Sequence, residues 1–310
     1  MLIAAEQVAI LYIMAVIGII ADKTGIYTEK TGKACTDLLF YVITPAKILE
    51  SFFTLEYSTE HLKGLFIAIG CGLLMHAIAA GVISAFFNKT KPEQSSVYKF
   101  AAIYGNCGYM GLPLVDAVVG SEGVFYCSAI IISFQIFNFT HGVYIMNKGK
   151  TEGKSSIDLK KLILNPGVLP VFVGLPVFIL KYKLNFEVPN LIMSPVSSIS
   201  DMNSPLAMLI FGTYISNTDF RTIFSQWRIL GVALFKLIAM PLAMLAALKL
   251  SGLTGALALT LVIASATPSA NNTIMFSAKY DRDTSLASQP VAVVSLISII
   301  TLPVMIALAK

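Results

Sequence analysis

YGNCGYMGLPL at residues 104–114 and SATPSANNT at residues 265–273 decide how this chain is read. Each interrupts a long apolar run with residues that a helix tolerates badly. Pro113 has no N–H and its ring meets the preceding turn, while Gly108 and Gly111 free the backbone for non-helical angles. Pro268, with Asn271 and Asn272 after it, punctuates the second stretch. Pro113 and Pro268 stand 155 residues apart, half of the 310-residue chain. Pro45 in TPAKILESF and Pro205 in SPLAMLIFG stand 160 apart. Breaks at matching places in both halves point to an internal repeat.

The surrounding composition says what is being broken. Apolar residues make up 56% of the chain and charged residues 13%; a soluble domain carries about 25% charged residues. Mean hydropathy is +0.78. This excludes a disordered chain and argues strongly against a water-soluble domain. Four cysteines are too few for a disulfide scaffold, and none has metal-ligand spacing. The pI of 8.9 does not indicate nucleic acid, because the basic residues are scattered over short loops.

A spanning helix needs about 20 predominantly apolar residues. Ten such segments are legible: 7–21, 36–55, 63–87, 97–116, 123–145, 162–182, 191–215, 229–249, 254–277 and 284–309. The first has no basic residues before it and reads as a retained helix rather than a cleaved leader. Loops after odd-numbered segments carry fifteen Lys and Arg, among them Lys89, Lys150, Lys154, Lys160, Lys161 and Arg221, and the opposite side carries five. That bias places the odd loops in the cytoplasm and both termini outside, in a cell-membrane protein with many spans. The polar loop 146–161 divides the chain into 1–145 and 162–310, five segments each. Five is odd, so two copies of the unit must run in opposite directions. The fold class expected is therefore an all-α integral membrane protein, ten transmembrane helices in two inverted five-helix repeats. Interrupted spans at matching places in inverted halves mark the binding site of a secondary carrier.

The chemistry of such a site comes from helix ends. A half-helix N-terminus presents unpaired N–H groups and a partial positive charge, so two meeting near the midplane attract an anion, most simply a carboxylate. Asn106, Asn271 and Asn272 add neutral donors and acceptors. The substrate-binding residues expected are thus Asn106, Gly108, Gly111, Pro113, Pro268, Asn271 and Asn272.

The motifs also resemble a known family. N-x-x-x-x-G-x-P-L at 106–114 with SEG at 121–123 looks like the fourth span of the auxin efflux carrier family. ATPSA followed by FSAKYD within 266–281 resembles its ninth, SISDMNSPLAMLIFG at 198–212 its seventh, and NPGVLPVFVGLPVFI at 165–179 the sixth of bacterial members. The resemblance covers essentially the whole chain. It implies a fold similar to bile acid symporters and sodium/proton antiporters, with spans four and nine crossing as broken helices. Spans 3–5 and 8–10 would form a mobile transport domain. Spans 1, 2, 6 and 7 would form a scaffold, often a homodimer through spans two and seven, and the mechanism would be elevator-type. Bacterial members are assigned to malonate, malate or similar acids, and plant members carry indole acetate. This chain lacks the long central loop of the plant proteins and has Asn271 and Asn272 where they carry apolar residues, which points to a more polar anion.

Four ionisable residues inside spans have open roles in coupling or charge compensation. Asp201 is either a proton carrier near the midplane or a cap on a later-starting helix. Lys47, three residues before Glu50 on one helix face, is either in a local ion pair or a counter-charge for substrate. Lys236 either snorkels to the cytoplasm or neutralises the anion. His76 is either a hydrogen-bonded packing residue or a titrating group. No cofactor is expected. H⁺, Na⁺ or the membrane potential alone could drive transport, with membrane lipids as the other partner. A cation/proton antiporter of related fold would want acids at the crossover, where this chain has Asn. A membrane enzyme would need a catalytic motif, and none is present. A non-transporting sensor leaves the matched breaks without a purpose.

Overall fold

The computed structural model describes residues 2–87, 90–148, 159–216 and 227–310. Lys89, Lys150, Lys154 and Arg221, and most of the 146–161 loop, lie outside the described residues.

The chain is all helical among the described residues. In order the helices are α1 (Leu2–Lys23), α2 (Glu29–Leu38), α3 (Thr44–Thr54), α4 (Thr59–Phe86), α5 (Pro92–Ile103), α6 (Leu112–Val119), α7 (Ser121–Phe137), α8 (Val143–Asn147) and α9 (Leu159–Ile163). They continue as α10 (Leu169–Leu184), α11 (Asn190–Ser200), α12 (Asn203–Ser216), α13 (Trp227–Leu234), α14 (Met240–Ser251), α15 (Gly255–Ala266), α16 (Asn272–Lys279) and α17 (Thr284–Ala309). Four stretches are long and apolar enough to cross a membrane: Thr59–Phe86, Ser121–Asn147, Trp227–Ser251 and Thr284–Ala309. Large apolar side chains stand exposed along them, including Phe66, Leu74, Ile78 and Ile300, as a lipid-facing surface requires.

Side-chain caps set several helix starts. The Ser58 hydroxyl accepts from the His61 N–H at 2.9 Å, and the Asp283 carboxylate accepts from the Leu286 N–H at 2.9 Å. Three wide π turns each precede a proline by two residues: Leu39–Ile43 before Pro45, Cys107–Gly111 before Pro113, and Phe235–Ala239 before Pro241. Proline cannot donate to the carbonyl four residues back, so the neighbouring bonds reach five residues instead. A fourth π turn, Asn138–Gly142, joins α7 to α8 without a proline.

Three expected segments differ in detail. The second begins earlier, at Glu29, because Thr28 caps α2 with its hydroxyl. The sixth is split at 164–168, where Pro166 biases Asn165 away from helical angles. The seventh is jointed at Asp201–Met202, where α12 restarts with Pro205 in its first turn, a place where the missing N–H costs nothing. Asp201 is exposed at that joint, not inside a continuous span.

Packing places α1 along α12, with Gly18 against the Leu209 backbone and Gly212 against the Ala15 carbonyl. Small residues allow such close approach where no hydrophobic force drives helices together. α3 lies against α10 and α11, α4 runs along α7, and α15 packs on α7 and α17. Arg282 donates to the carbonyls of Met146 at 2.9 Å and Lys148 at 2.8 Å, tying the end of α8 to the α16–α17 linker.

Candidate functional site

The two breaks meet. The Asn106 N–H donates to the Pro268 carbonyl at 2.7 Å, and the Ala270 N–H donates to the Tyr104 carbonyl at 2.9 Å. Gly105 and Ser269 thereby form an antiparallel bridge. The Ser269 hydroxyl donates to the Ala101 carbonyl at 2.8 Å. Backbone released from one broken helix is satisfied by backbone released from the other, which is the condition for leaving a helix in an apolar medium.

Two half-helices start from this crossing. Asn106 caps the first, its side-chain oxygen accepting from the Tyr109 N–H at 3.2 Å. The second begins at Asn272, with the Asn271 carbonyl accepting from the Ile274 N–H at 3.0 Å. Gly111 packs on Thr267, and a Cβ there would stand 3.0 Å from the threonine methyl. Pro113 sits in the first turn of α6, where its ring fits.

A cavity of about 30 Å³ is built on the crossing by Gly105, Asn106, Cys107, Gly108, Ala270 and Asn272, with Gln135, Tyr109 and Phe40 opposite. That is room for about one water-sized group. Phe40, Tyr109, Gln135 and Asn272 also line a second cavity of about 1240 Å³, so the two are neighbours. The larger one has Lys33, Lys160 and Lys161 in its wall against Asp22 and Asp37, aromatic faces from Tyr27, Tyr41 and Tyr214, and amides from Asn138, Asn165 and Asn271. Burial raises the Tyr27 phenol above its ordinary range.

The structure therefore brings Asn106, Gly108, Gly111, Pro268, Asn271 and Asn272 together, and Lys236 joins them. Lys236 lies in the π turn Phe235–Ala239, fully buried, and a Cβ at Gly105 would stand 2.7 Å from its nitrogen. His76 is fully buried near the crossing but lines neither cavity. Its Nδ1 is 2.7 Å from the Gly72 carbonyl, and its ring packs against Tyr104, Phe134 and Phe137.

Lys47 and Asp201 are not at the crossing. The Lys47 ammonium contacts Glu50 at 3.3 Å, as the three-residue spacing suggests, and also Asp116 of α6 at 3.0 Å. Glu50 in turn accepts from the hydroxyls of Ser197, at 2.6 Å, and Ser200. This cluster ties α3 to α6 and α11 and lines neither cavity.

Residue-by-residue reading of the sequence passed over Gln135, Asn138 and Asn165. The signal was available: Gln135 and Asn138 are amides three apart in an apolar run, at the end of α7 and the start of the π turn after it, and buried polar groups there are expensive unless used. The Asn138 amide donates to Gln135 at 3.4 Å, and its own oxygen has no hydrogen-bond partner among the described residues.

A family profile described as "Membrane transport protein" matches residues 3–306. An uncharacterized transporter of Methanocaldococcus jannaschii is 22% identical over 305 residues, covering 97% of each chain. A protein of Rhizobium meliloti named "Putative malonate transporter" is 23% identical over 225 residues, 71% of this chain and 68% of its own.

Proposed function

The chain belongs to the membrane transport protein family, the auxin efflux carriers and their relatives, and on that premise we propose that it is a secondary carrier for a small organic anion held at the helix crossing. The observation that carries this reading is the antiparallel pairing of the two breaks, which sets two half-helix N-termini beside one small cavity lined by Asn106 and Asn272. Helix N-termini favour negative charge. Among the described residues no carboxylate lines the small cavity, which speaks against a cation/proton antiporter. The name of the Rhizobium meliloti relative supports a dicarboxylate of malonate size.

Ten spans in two inverted repeats fit the positions of the helices and the matched breaks. On that topology the large cavity opens toward the basic loops, the cytoplasmic side, and the Lys47–Asp116–Glu50 cluster closes the outer side. α1, α3, α10, α11 and α12 belong to the scaffold and the remaining spans to the moving body, which carries the crossing in an elevator-type cycle. A homodimer would form through scaffold spans two and seven. The membrane potential alone can drive anion export, since moving one charge is worth about 2.3 kcal/mol per 100 mV.

The test is saturable uptake of labelled mono- and dicarboxylates by the purified protein in liposomes. Asn272→Ala and Asn106→Ala are expected to lower uptake at least about tenfold, each removing a charge-assisted contact of about 1.5–3 kcal/mol. Asn106→Ala also removes a helix cap worth about 1 kcal/mol, so its melting temperature falls slightly while that of Asn272→Ala holds. Full uptake by both variants would remove the crossing from the site. A folded protein that moves no carboxylate would favour a sensor.

A further inference from the structure

Lys236 presents an electrostatic problem at the centre of the protein. Its side chain is fully buried and its ammonium has no hydrogen-bond acceptor among the described residues. Nor does it take part in any of the ion pairs found there, which join Lys47 to Glu50 and Asp116, and His61 to Glu122. Its place is set by Gly105. A Cβ at that position would stand 2.7 Å from the Lys236 nitrogen and 2.5 Å from the Thr267 hydroxyl, so the ammonium occupies the space that a side chain would take. Gly105 is the residue that bridges to Ser269 and also lines the small cavity, which Lys236 itself does not touch. One glycine thus separates an unpaired cation from the cavity.

Leaving a buried charge without its partner is strongly destabilising, because attraction in a low dielectric has nothing to offset the loss of hydration. Intramembrane charges of this kind mark ligand pathways or hold counter-ions. The π turn that carries Lys236 is itself a local weakening of the helix of the type found at functional sites. The other requirements of an anion site are met around the cavity that Gly105 lines: two half-helix N-termini, the Asn106 and Asn272 amides, and room for one small polar group.

We propose that Lys236 is the fixed positive charge of the crossing, that the anionic group of the substrate is its counter-ion, and that the protein consequently exchanges one anion for another much faster than it carries an anion one way. The proposal rests on the anion-carrier reading above. In the open state the small cavity that Gly105 lines can hold a polar group on the other side of that glycine from the ammonium. The closed intermediate between the two open states has to be dry. With an anion bound, that intermediate is close to neutral at the crossing. Without one it must either enclose an unpaired cation or first shed the ammonium proton, and either route raises its energy. Exchange passes only through the loaded intermediate, whereas net transport must also return the empty carrier.

The experiment is uptake of radiolabelled malonate, with malate as a second probe, into proteoliposomes that contain either the same unlabelled acid or none. Uptake into loaded vesicles should exceed uptake into empty ones at least about tenfold, since the unpaired charge adds more than one tenfold step to the empty return. In Lys236→Met, a near-isosteric and uncharged variant checked for folding by size-exclusion chromatography, that ratio should fall below about twofold and malonate affinity should weaken about tenfold, the loss of one through-space charge attraction across Gly105. Equal wild-type rates into loaded and empty vesicles would overturn the exchange and leave the carrier intact. A folded Lys236→Met protein with the wild-type ratio would overturn the role of Lys236. No uptake of either acid, even into loaded vesicles, would count against both this proposal and the carrier reading. Should Lys236→Met fail to fold, the wild-type ratio still decides the exchange.

Discussion

Gly212→Ala is expected to lose the folded protein at moderate temperature. The added Cβ would collide with the Ala15 carbonyl oxygen, which belongs to backbone and has no rotamer through which to escape. α1 and α12 would have to separate along their whole contact, and Gly18, pressed on the Leu209 backbone one turn away, would lose its fit as well. Overpacking a close contact costs about 3 kcal/mol or more when backbone must shift, or about 5 °C or more in melting temperature for a chain of this length. Gly70→Ala is the control: it lies in α4 with open space around it, and alanine is the better helix former by about 1 kcal/mol. Melting in detergent should place the two variants on opposite sides of wild type. A Gly212→Ala protein as stable as wild type would mean that α1 and α12 approach less closely than described.

Lys47→Met is expected to weaken the fold and to change which side of the crossing is accessible. The variant leaves the Asp116 and Glu50 carboxylates without the ammonium between them. Stranding a buried partner costs about 3–5 kcal/mol, and the partial exposure of Asp116 reduces this to about 2–3 kcal/mol. Adding Asp116→Asn should restore much of the loss, so the double variant will be more stable than the sum of the singles predicts. Simple additivity would show that the two groups do not interact. The second readout is Cys107, which lines the small cavity. With Cys35 and Cys71 replaced by serine and Cys127 by alanine, an impermeant maleimide added on the outer side of the proposed topology should label Cys107 faster in Lys47→Met than in wild type, if the ion pair joining α3 to α6 closes that side as proposed. Unchanged labelling would remove the cluster from the gate.

These residues also show where the sequence is readable. The breaks at 104–106 and 267–271 are marked by glycine and proline, whose effect on a helix is local. The Lys47–Glu50 pair is likewise local, three residues apart on one face. Asp116 as the third member could not be found that way, because it arrives from α6 through tertiary packing. The same holds for Lys236. From the sequence it either snorkels to the cytoplasm or neutralises the anion, and the fold directs it inward to the space left by Gly105, 131 positions earlier in the sequence. Asp201 was ambiguous because a short polar stretch can be either the middle of a span or a joint, and only the restart of α12 at Asn203 decides. Hydropathy placed the long apolar runs, but it cannot show that one break supplies the hydrogen bonds of the other.

That mutual supply is made entirely by main-chain atoms of Tyr104, Asn106, Pro268 and Ala270. Main-chain atoms do not change when codons do. Apart from Gly105, where no side chain fits, the joint is therefore insulated from drift in side chains, while Asn272, which faces the cavity, is free to vary on top of it. If the proposed site is right, a lineage built on this joint can change its cargo by single substitutions without redesigning its architecture.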